Sequence, residues 1–406
     1  MFYRIIVIKS VSKNKISNFL LMNPLQPLSL EQLSLNRYPV THDKSLKAWN
    51  AADELLLEHI QSLFEQQKLS LSSLNCLIVN DQFGALSISL NEVSPLFWTD
   101  SYLSQKAIQR NQQSNLENNI KASPFSPSQQ SNQQKFDLVI IRIPKHNSLL
   151  KYQLEQIKTH IHRKTIIVAG GMTKEIHNSN IKIFESVLGK TTTSLAKKKA
   201  RLIFSQFEQS HSDATASQEL KYYTLPQYQV TACGLAGVFS RDKLDIGTQV
   251  LLEHLPEVNQ GERVIDLGCG NGVIGAIIAK SQPLCQLLLS DESQLAVESA
   301  KLTFIKNQLS NADFIHTDVL HGVERNSFDH ILCNPPFHQQ NVQTLDIAIN
   351  MFKQSAQCLK SIGELRVVAN RHLKYLPLLK RYFSQVSSIS NNAKFTVWLA
   401  KKSKLN

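Results

Sequence analysis

The stretch FDHILCNPPFHQQ, residues 328–340, ends an apolar run on an amide, two prolines and an aromatic ring. Proline donates no main-chain hydrogen bond, fixes its own φ and restrains the residue before it. Asn334, Pro335 and Pro336 therefore set a side-chain oxygen and a main-chain carbonyl together at the end of a strand. Two acceptors so placed can take both N–H bonds of an exocyclic amine and aim its lone pair. Phe337 can stack on the base that carries the amine. An amine conjugated to a base is a poor nucleophile, and orientation is what it chiefly lacks. A plain strand-ending turn is the other reading, since X-Pro-Pro is a common breaker.

Upstream, VIDLGCGNGVIGAIIAK (264–280) reads as strand, glycine turn and helix. Gly268, Gly270 and Gly272 let the backbone approach a ligand that a Cβ would strike, with Asn271 inside the same turn. The helix start behind them presents free N–H groups. Gly270, Gly272 and Gly275 also satisfy the dinucleotide pattern, with Asp291 about twenty residues on. That pattern has no use for an acid just before the glycines, where Asp266 stands. An acid there suits a cation, such as the ammonium and sulfonium of S-adenosylmethionine. Asp291 suits ribose hydroxyls. Asp318, in FIHTDVL, either meets the adenine amine or caps a helix.

These residues need strands that end on one rim. NCLIVND (75–81), PLFWTD (95–100), FDLVIIRIPK (136–145) and KTIIVAGG (164–171) read as strands separated by helical text. SLKAWNAADELLLEHIQSLF (45–64) has helical spacing at Leu46, Trp49, Ala52, Leu56, Ile60 and Leu63. The second half repeats the first. VIDLGCGNG stands where LIVNDQFGA stood, LLLSDES where LFWTDSY stood, FDHILCNPPFH where FDLVIIRIPKH stood, and GELRVVAN where TIIVAGG stood. Asp100 to Phe136 spans 36 positions and Asp291 to Phe328 spans 37. A duplicated α/β domain follows, with chance likeness of parallel α/β units as the alternative. The first copy lacks the glycine triplet and has Arg-Ile-Pro-Lys in place of Asn-Pro-Pro-Phe, so the second carries the chemistry.

The expected layout is a leader over 1–33, with Met22 as an alternative start, and a degenerate N-terminal domain over 34–207. A Gln/Asn/Ser-rich flexible insertion falls at 109–134. A linker over 208–225 precedes a catalytic domain over 226–402, entered through a hairpin in YYTLPQYQVTACGLAGVFS. The 406 residues carry 44 Lys+Arg against 32 Asp+Glu, a net charge of +12. That surplus suits a nucleic-acid partner or simply a basic protein. The six cysteines form no CxxC pair, so free buried thiols in a reducing cytoplasm are expected. No apolar run is long enough to span a bilayer. His160 and His162 lack a third ligand, so no metal is assigned. The cluster LAKKKARL (195–202) either touches phosphates or forms a solvated helix face. A lone histidine such as His338 is given no role.

With these motifs in order, the chain resembles the class I S-adenosylmethionine-dependent methyltransferases in the branch with Asn-Pro-Pro-Phe/Tyr. More narrowly, it is similar to the bacterial ribosomal-RNA guanine-N2 methyltransferases. The likeness rests on LNRYPVTHDKSLKAWNAADELLL, LGKTTTSLAKKKARLI, FSRDKLDIG, VIDLGCGNGVIG, LCNPPFHQQ and VANRHLKY. It implies an α/β fold of two tandem Rossmann-like methyltransferase domains, the N-terminal one degenerate and serving folding support and RNA contact. It implies S-adenosylmethionine as cofactor and N2 of one guanine in 23S rRNA, naked or in an assembly intermediate, as acceptor. Asp266, Gly268, Gly270, Asn271, Gly272, Asp291 and Asp318 would then form the cofactor site, with Asp245 and Gly247 near its methionine end. Asn334, Pro335, Pro336 and Phe337 would hold the guanine. The rival readings are the same chemistry on small-subunit rRNA, DNA adenine or a protein glutamine, a nicotinamide-dependent oxidoreductase, and a non-enzymatic RNA-binding assembly factor.

Overall fold

The structure is a computed structural model. It describes residues 27–402 apart from 42, 44, 67, 70–73, 116–121, 128–134, 209–218, 337–341 and 391. Each half of the chain builds a seven-stranded sheet. The first holds β1 (Cys76–Val79), β2 (Leu96–Trp98), β3 (Ser123–Pro124), β4 (Leu138–Arg142), β5 (Ile166–Met172), β6 (Thr191–Thr193) and β7 (Ala200–Ser205). A separate hairpin, β8 (Lys221–Leu225) and β9 (Val230–Gly234), follows. The second sheet holds β10 (Arg263–Leu267), β11 (Gln286–Asp291), β12 (Ala312–His316), β13 (Phe328–Cys333), β14 (Leu359–Asn370), β15 (Gln385–Ser388) and β16 (Phe395–Lys401).

The orders are β3-β2-β1-β4-β5-β7-β6 and β12-β11-β10-β13-β14-β16-β15. Counted within each half they are the same, and in each the seventh strand runs antiparallel to the fifth. The duplication read from strand text is therefore present in the topology. A dinucleotide-binding sheet runs 3-2-1-4-5-6. The antiparallel seventh strand inserted beside the fifth separates this fold from it and weakens the oxidoreductase reading.

The strands are apolar on both faces because helices cover both. Ile78, Leu138 and Ile140 enter one core with Leu56 and Ile60. The alternating residues Leu77, Val79, Val139 and Ile141 enter another with Leu150 and Leu154. The helix predicted over 45–64 is α1, Ala51–Glu65. It starts late because Asn50 and Asp53 close a capping box on its first turn.

Three boundaries differ from the sequence reading. Residues 28–33 are not all leader: Leu28 N donates to Ser89 O, and Leu30 is buried in the first core. Residues 1–26 lie outside the described residues. The Gln/Asn/Ser stretch is structured at its start, where helix α3 (Tyr102–Asn115) buries Asn111 and Gln112. It is structured again at β3, flanked by buried Ala122 and Phe125. Side-chain amides satisfied by main chain let this polar text pack. Strand β8 falls in the predicted linker but pairs along its length with β9, so the second unit takes it in.

The halves dock through equivalent loops, those after β2 and β11. Ser101 and Ser293 form an antiparallel bridge. Tyr102 N donates to Glu292 O (2.8 Å), and Gln294 N donates to Asp100 O (2.9 Å). The Asp100 carboxylate accepts Ser293 Oγ (2.6 Å) and Leu295 N (2.8 Å). Leu295 lies in the first turn of helix α8, Gln294–Lys306. An anion there also meets the positive end of the helix dipole. Leu149 and Tyr152 from the first half pack on Leu235, Val238, Leu295 and Ala296.

Asp100→Ala leaves both donors unpaired in the junction, at a cost of about 1–3 kcal/mol. Thermal melting should show a lowered Tm, with the two halves unfolding separately. Asp100→Asn, which keeps one acceptor oxygen, should lose less. An unchanged melt in Asp100→Ala would remove the junction role assigned to this carboxylate.

Candidate active site

Strands β12, β11, β10 and β13 are adjacent and parallel, so their C-terminal ends form one rim. Asp318, Asp291, the glycine loop and Asn334 stand along that rim in this order. Three strand spacings separate the outer two, about 14–15 Å in all. The residues drawn from four separate stretches of sequence thus form a row.

At one end, Asn334 Nδ2 donates to Thr248 Oγ1 (2.8 Å) and lies 3.3 Å from Asp245 Oδ2. A carboxylate can only accept, so the nitrogen is the amide atom that faces it. The oxygen, Oδ1, is buried and has no hydrogen-bond partner among the described residues. Asp245 and Thr248 are themselves fixed. Asp245 caps helix α6 (Ile246–Leu252), accepting Thr248 N (3.1 Å). Gly247 sits between them, where an added Cβ would lie 2.9 Å from Asp245 Oδ2 and 3.6 Å from Asn334 Oδ1. Pro335 is buried and Pro336 exposed. Phe337 and His338 lie outside the described residues. Thr248 was not found by sequence reasoning. The LDIG stretch led to Asp245 and Gly247, and the third helical position after a capping aspartate was the available clue.

In the glycine loop, Gly268, Gly270 and Gly272 have φ of 70°, 52° and 72°. Their roles differ. Beyond an added Cβ, the nearest atom is 3.5 Å away at both Gly268 and Gly270. At Gly272 it would run into Ala300 Cβ at 2.7 Å, and at Gly275 into Leu289 at 2.9 Å. At the first two a Cβ would meet only ordinary contacts, so their positive φ is what calls for glycine; the last two let helix α7 (Val273–Ser281) pack on its neighbours. Asn271, expected in the cofactor site, sits buried inside the loop. Its Nδ2 donates to Tyr223 OH and Ser240 O (3.0 Å each), tying the hairpin to the loop.

Asp266 is 1% exposed, and its Oδ2 accepts Gly275 N (2.9 Å). Burial pushes its carboxyl up to about 7, against the pull of that amide and helped by the charge of Asp291. Asp291 accepts Gly270 N (2.9 Å) and Ser293 N (3.0 Å), one on each oxygen, and burial raises its pKa as well. Each of those oxygens keeps a further lone pair for a hydroxyl. Asp318 is no helix cap. It lies in the turn after β12, beside Val319, whose φ of 56° is strained for a β-branched residue. Its Oδ2 accepts the hydroxyl of Tyr38 from the first half (2.8 Å).

The first half shows the same scaffold filled in. Arg142 takes the place of Asn334 at the end of β4. Its Nε lies 3.3 Å from Asp53 Oδ1, and its Nη2 donates to Asn50 Oδ1 (3.3 Å). Asn50 and Asp53 are the cap and third residue of α1, as Asp245 and Thr248 are of α6. Asp81 is closed on Gly84 N, Ser87 N and Ser87 Oγ. The cavity left among these residues is only about 30 Å3. The KKK cluster there is committed too: Lys197 and Lys198 pair with Glu58 and Glu54 of α1. Among the described residues, no group of three or more His, Cys, Asp or Glu is placed to hold a metal. All six cysteines are free and buried.

The glycine turn, the row of acids and the unsatisfied Asn334 oxygen suit an elongated ligand. One of its ends bears a base and a diol, and the other is cationic. S-adenosylmethionine has those parts. Residues 24–209 match the RLMG N-terminal domain family, and residues 229–399 match the methyltransferase small domain family. The chain is 39% identical over 377 residues to ribosomal RNA large subunit methyltransferase G of Pseudoalteromonas translucida (strain TAC 125), covering 91% of this chain and 96% of that one. In fold it is similar to the T. thermophilus 16S rRNA N2 G1207 methyltransferase, solved with AdoMet and guanosine. The TM-score is 0.73 at 20% identity, covering 93% of this chain and 98% of that one. With the identity carried through both halves, the chain belongs to the ribosomal RNA large subunit methyltransferase G family and is an S-adenosylmethionine-dependent methyltransferase.

Proposed function

We propose that the enzyme methylates the exocyclic N2 amine of a guanine in 23S rRNA. The observation that carries this reading is the buried Asn334 oxygen, left without a partner among the described residues while Nδ2 is held by Thr248 and faces Asp245. An unpaired acceptor in a packed site is costly, and an N–H donor from a substrate relieves it. S-adenosylmethionine, when bound, supplies an electrophilic methyl group on a sulfonium.

Asn334 Oδ1 accepts one N–H of the amine, and the Pro335 carbonyl accepts the other. With both N–H bonds held, the nitrogen lone pair is turned toward the methyl group. Transfer of that methyl group to N2 would leave S-adenosylhomocysteine, and the extra proton on N2 would leave for solvent. Phe337 stacks on the base, which leaves its helix to reach the rim. Asp318 takes the adenine amine, Asp291 the ribose hydroxyls, and Gly268 and Gly270 the close approach. Asp266 faces the cationic end. The net charge of +12 suits an RNA partner. A cytoplasmic location goes with that substrate. Mapping N2-methylguanine in rRNA from a deletion strain tests the whole reading. One missing site in 23S rRNA is expected. A site missing from 16S rRNA instead, or no missing site, overturns it.

Asn334→Ala should lower kcat by roughly 10²–10³-fold, as for loss of one preorganised polar contact to a reacting group. Its cofactor affinity, read by calorimetry, should stay unchanged. Thr248→Val, which frees the amide to turn, should cost roughly 3–10-fold in kcat. Thr248→Ser should restore it. Equal activity in all three variants would exclude this use of Asn334.

Asp266 also gives a pH dependence. Its folded-state pKa is raised to about 7. Its contribution to stability is thus complete below about pH 4 and is lost as pH rises through 7. A cationic ligand beside it favours the carboxylate, so cofactor affinity should rise over the same window. Titrations from pH 6 to 8 should show tighter cofactor binding at the upper end and a flat profile in Asp266→Asn. A wild-type profile with no slope would separate Asp266 from the cation.

A further inference from the structure

Besides the loop after β2, a second short segment of the first half reaches the cofactor rim. Residues 34–36 are clamped to helix α3. Asn111 accepts Asn36 N (3.0 Å) and donates to Asn36 O (2.8 Å), and Asn115 does the same for Ser34. Asn111 is 2% exposed and also donates to Phe83 O (2.8 Å). The next residues leave the first half and cross to the second. Arg37 lies over the Phe83 ring, and the Tyr38 ring is covered by Arg110 at 4.2 Å. The Tyr38 hydroxyl then donates to Asp318 Oδ2 (2.8 Å), and Thr41 Oγ1 to Asp346 Oδ2 (3.4 Å) on helix α9 (Val342–Cys358). Behind this bridge is a cavity of about 210 Å3, lined by residues of both halves that include Thr41, Glu292 and Ile347.

We infer that the cofactor site is completed across the domain boundary, with Tyr38 as a positioning residue. Its hydroxyl holds one oxygen of Asp318 and leaves Oδ1 turned to accept the adenine amine. Asp318 sits on a strained turn beside Val319, so its direction needs an outside restraint. The restraint is itself rigid, because buried Asn111 fixes the segment that carries Tyr38. The inference rests on the adenine reading of Asp318 and extends it to a residue of the half that lost its own site. Reciprocity then requires that cofactor binding tighten the docking of the two halves.

The test uses the full-length enzyme with S-adenosylhomocysteine and S-inosylhomocysteine, which differ in the 6-amino group of the base. Tyr38→Phe keeps the ring under Arg110 and removes only the hydroxyl. It should weaken S-adenosylhomocysteine binding roughly 3–10-fold, raise the KM for S-adenosylmethionine likewise and leave kcat unchanged. Affinity for S-inosylhomocysteine should not move. Equal losses for both ligands, or no loss for either, overturn the inference. Asp318→Ala separates the two levels. If it does not weaken S-adenosylhomocysteine, the adenine reading fails and the Tyr38 role with it. If it does and Tyr38→Phe does not, only the Tyr38 role fails.

Discussion

The structure turns on where one amide spends its nitrogen. Asn334 has two donors on Nδ2, and both face groups at the start of helix α6. Without Asp245 and Thr248 the amide could present either end to the rim. With them the nitrogen is taken up and the oxygen is left over, without a partner among the described residues. The remaining architecture serves that outcome. Strand β13 brings Asn334 to the rim, the prolines stop the strand there, and the Asp245 cap fixes the helix end against which the amide is read.

The two halves use one joint for opposite ends. In each, the residue at the end of the fourth strand meets the cap and the third residue of the helix that precedes the first strand. Where that residue is Asn334, the joint leaves a polar atom unspent. Where it is Arg142, a longer and charged side chain meets Asp53 and Asn50 and fills the space. The pair closes on itself, with Arg142 Nη1 buried and unpartnered among the described residues. The degenerate half is therefore a folded scaffold with its mouth sealed by a salt bridge.

Much of this was legible in the sequence because strand text and glycine spacing are local. The repeat order, the hairpin after the linker and the rim residues Asp266, Asp291, Asp318 and Asn334 all follow from short stretches. Other features depend on pairings that no local pattern carries. Thr248 matters through a side chain 86 positions away, and Tyr38 through one 280 away. The bond from Asn271 to the Tyr223 hydroxyl of the hairpin is of the same long-range kind, 48 positions apart. The Gln/Asn/Ser stretch misled: composition argues against a core, but Asn111 and Gln112 pack by bonding to main chain.

The Asp100 contact with helix α8 has a bearing on the order of events in synthesis. Asp100 stands where the second half keeps Asp291, and it now accepts Leu295 N in the first turn of that helix. A ribosome delivers residue 100 well before residues 294–306. The acceptor for the later helix is thus already in place on a finished sheet when that helix emerges. Loss of the first half would leave α8 to start without one of its partners.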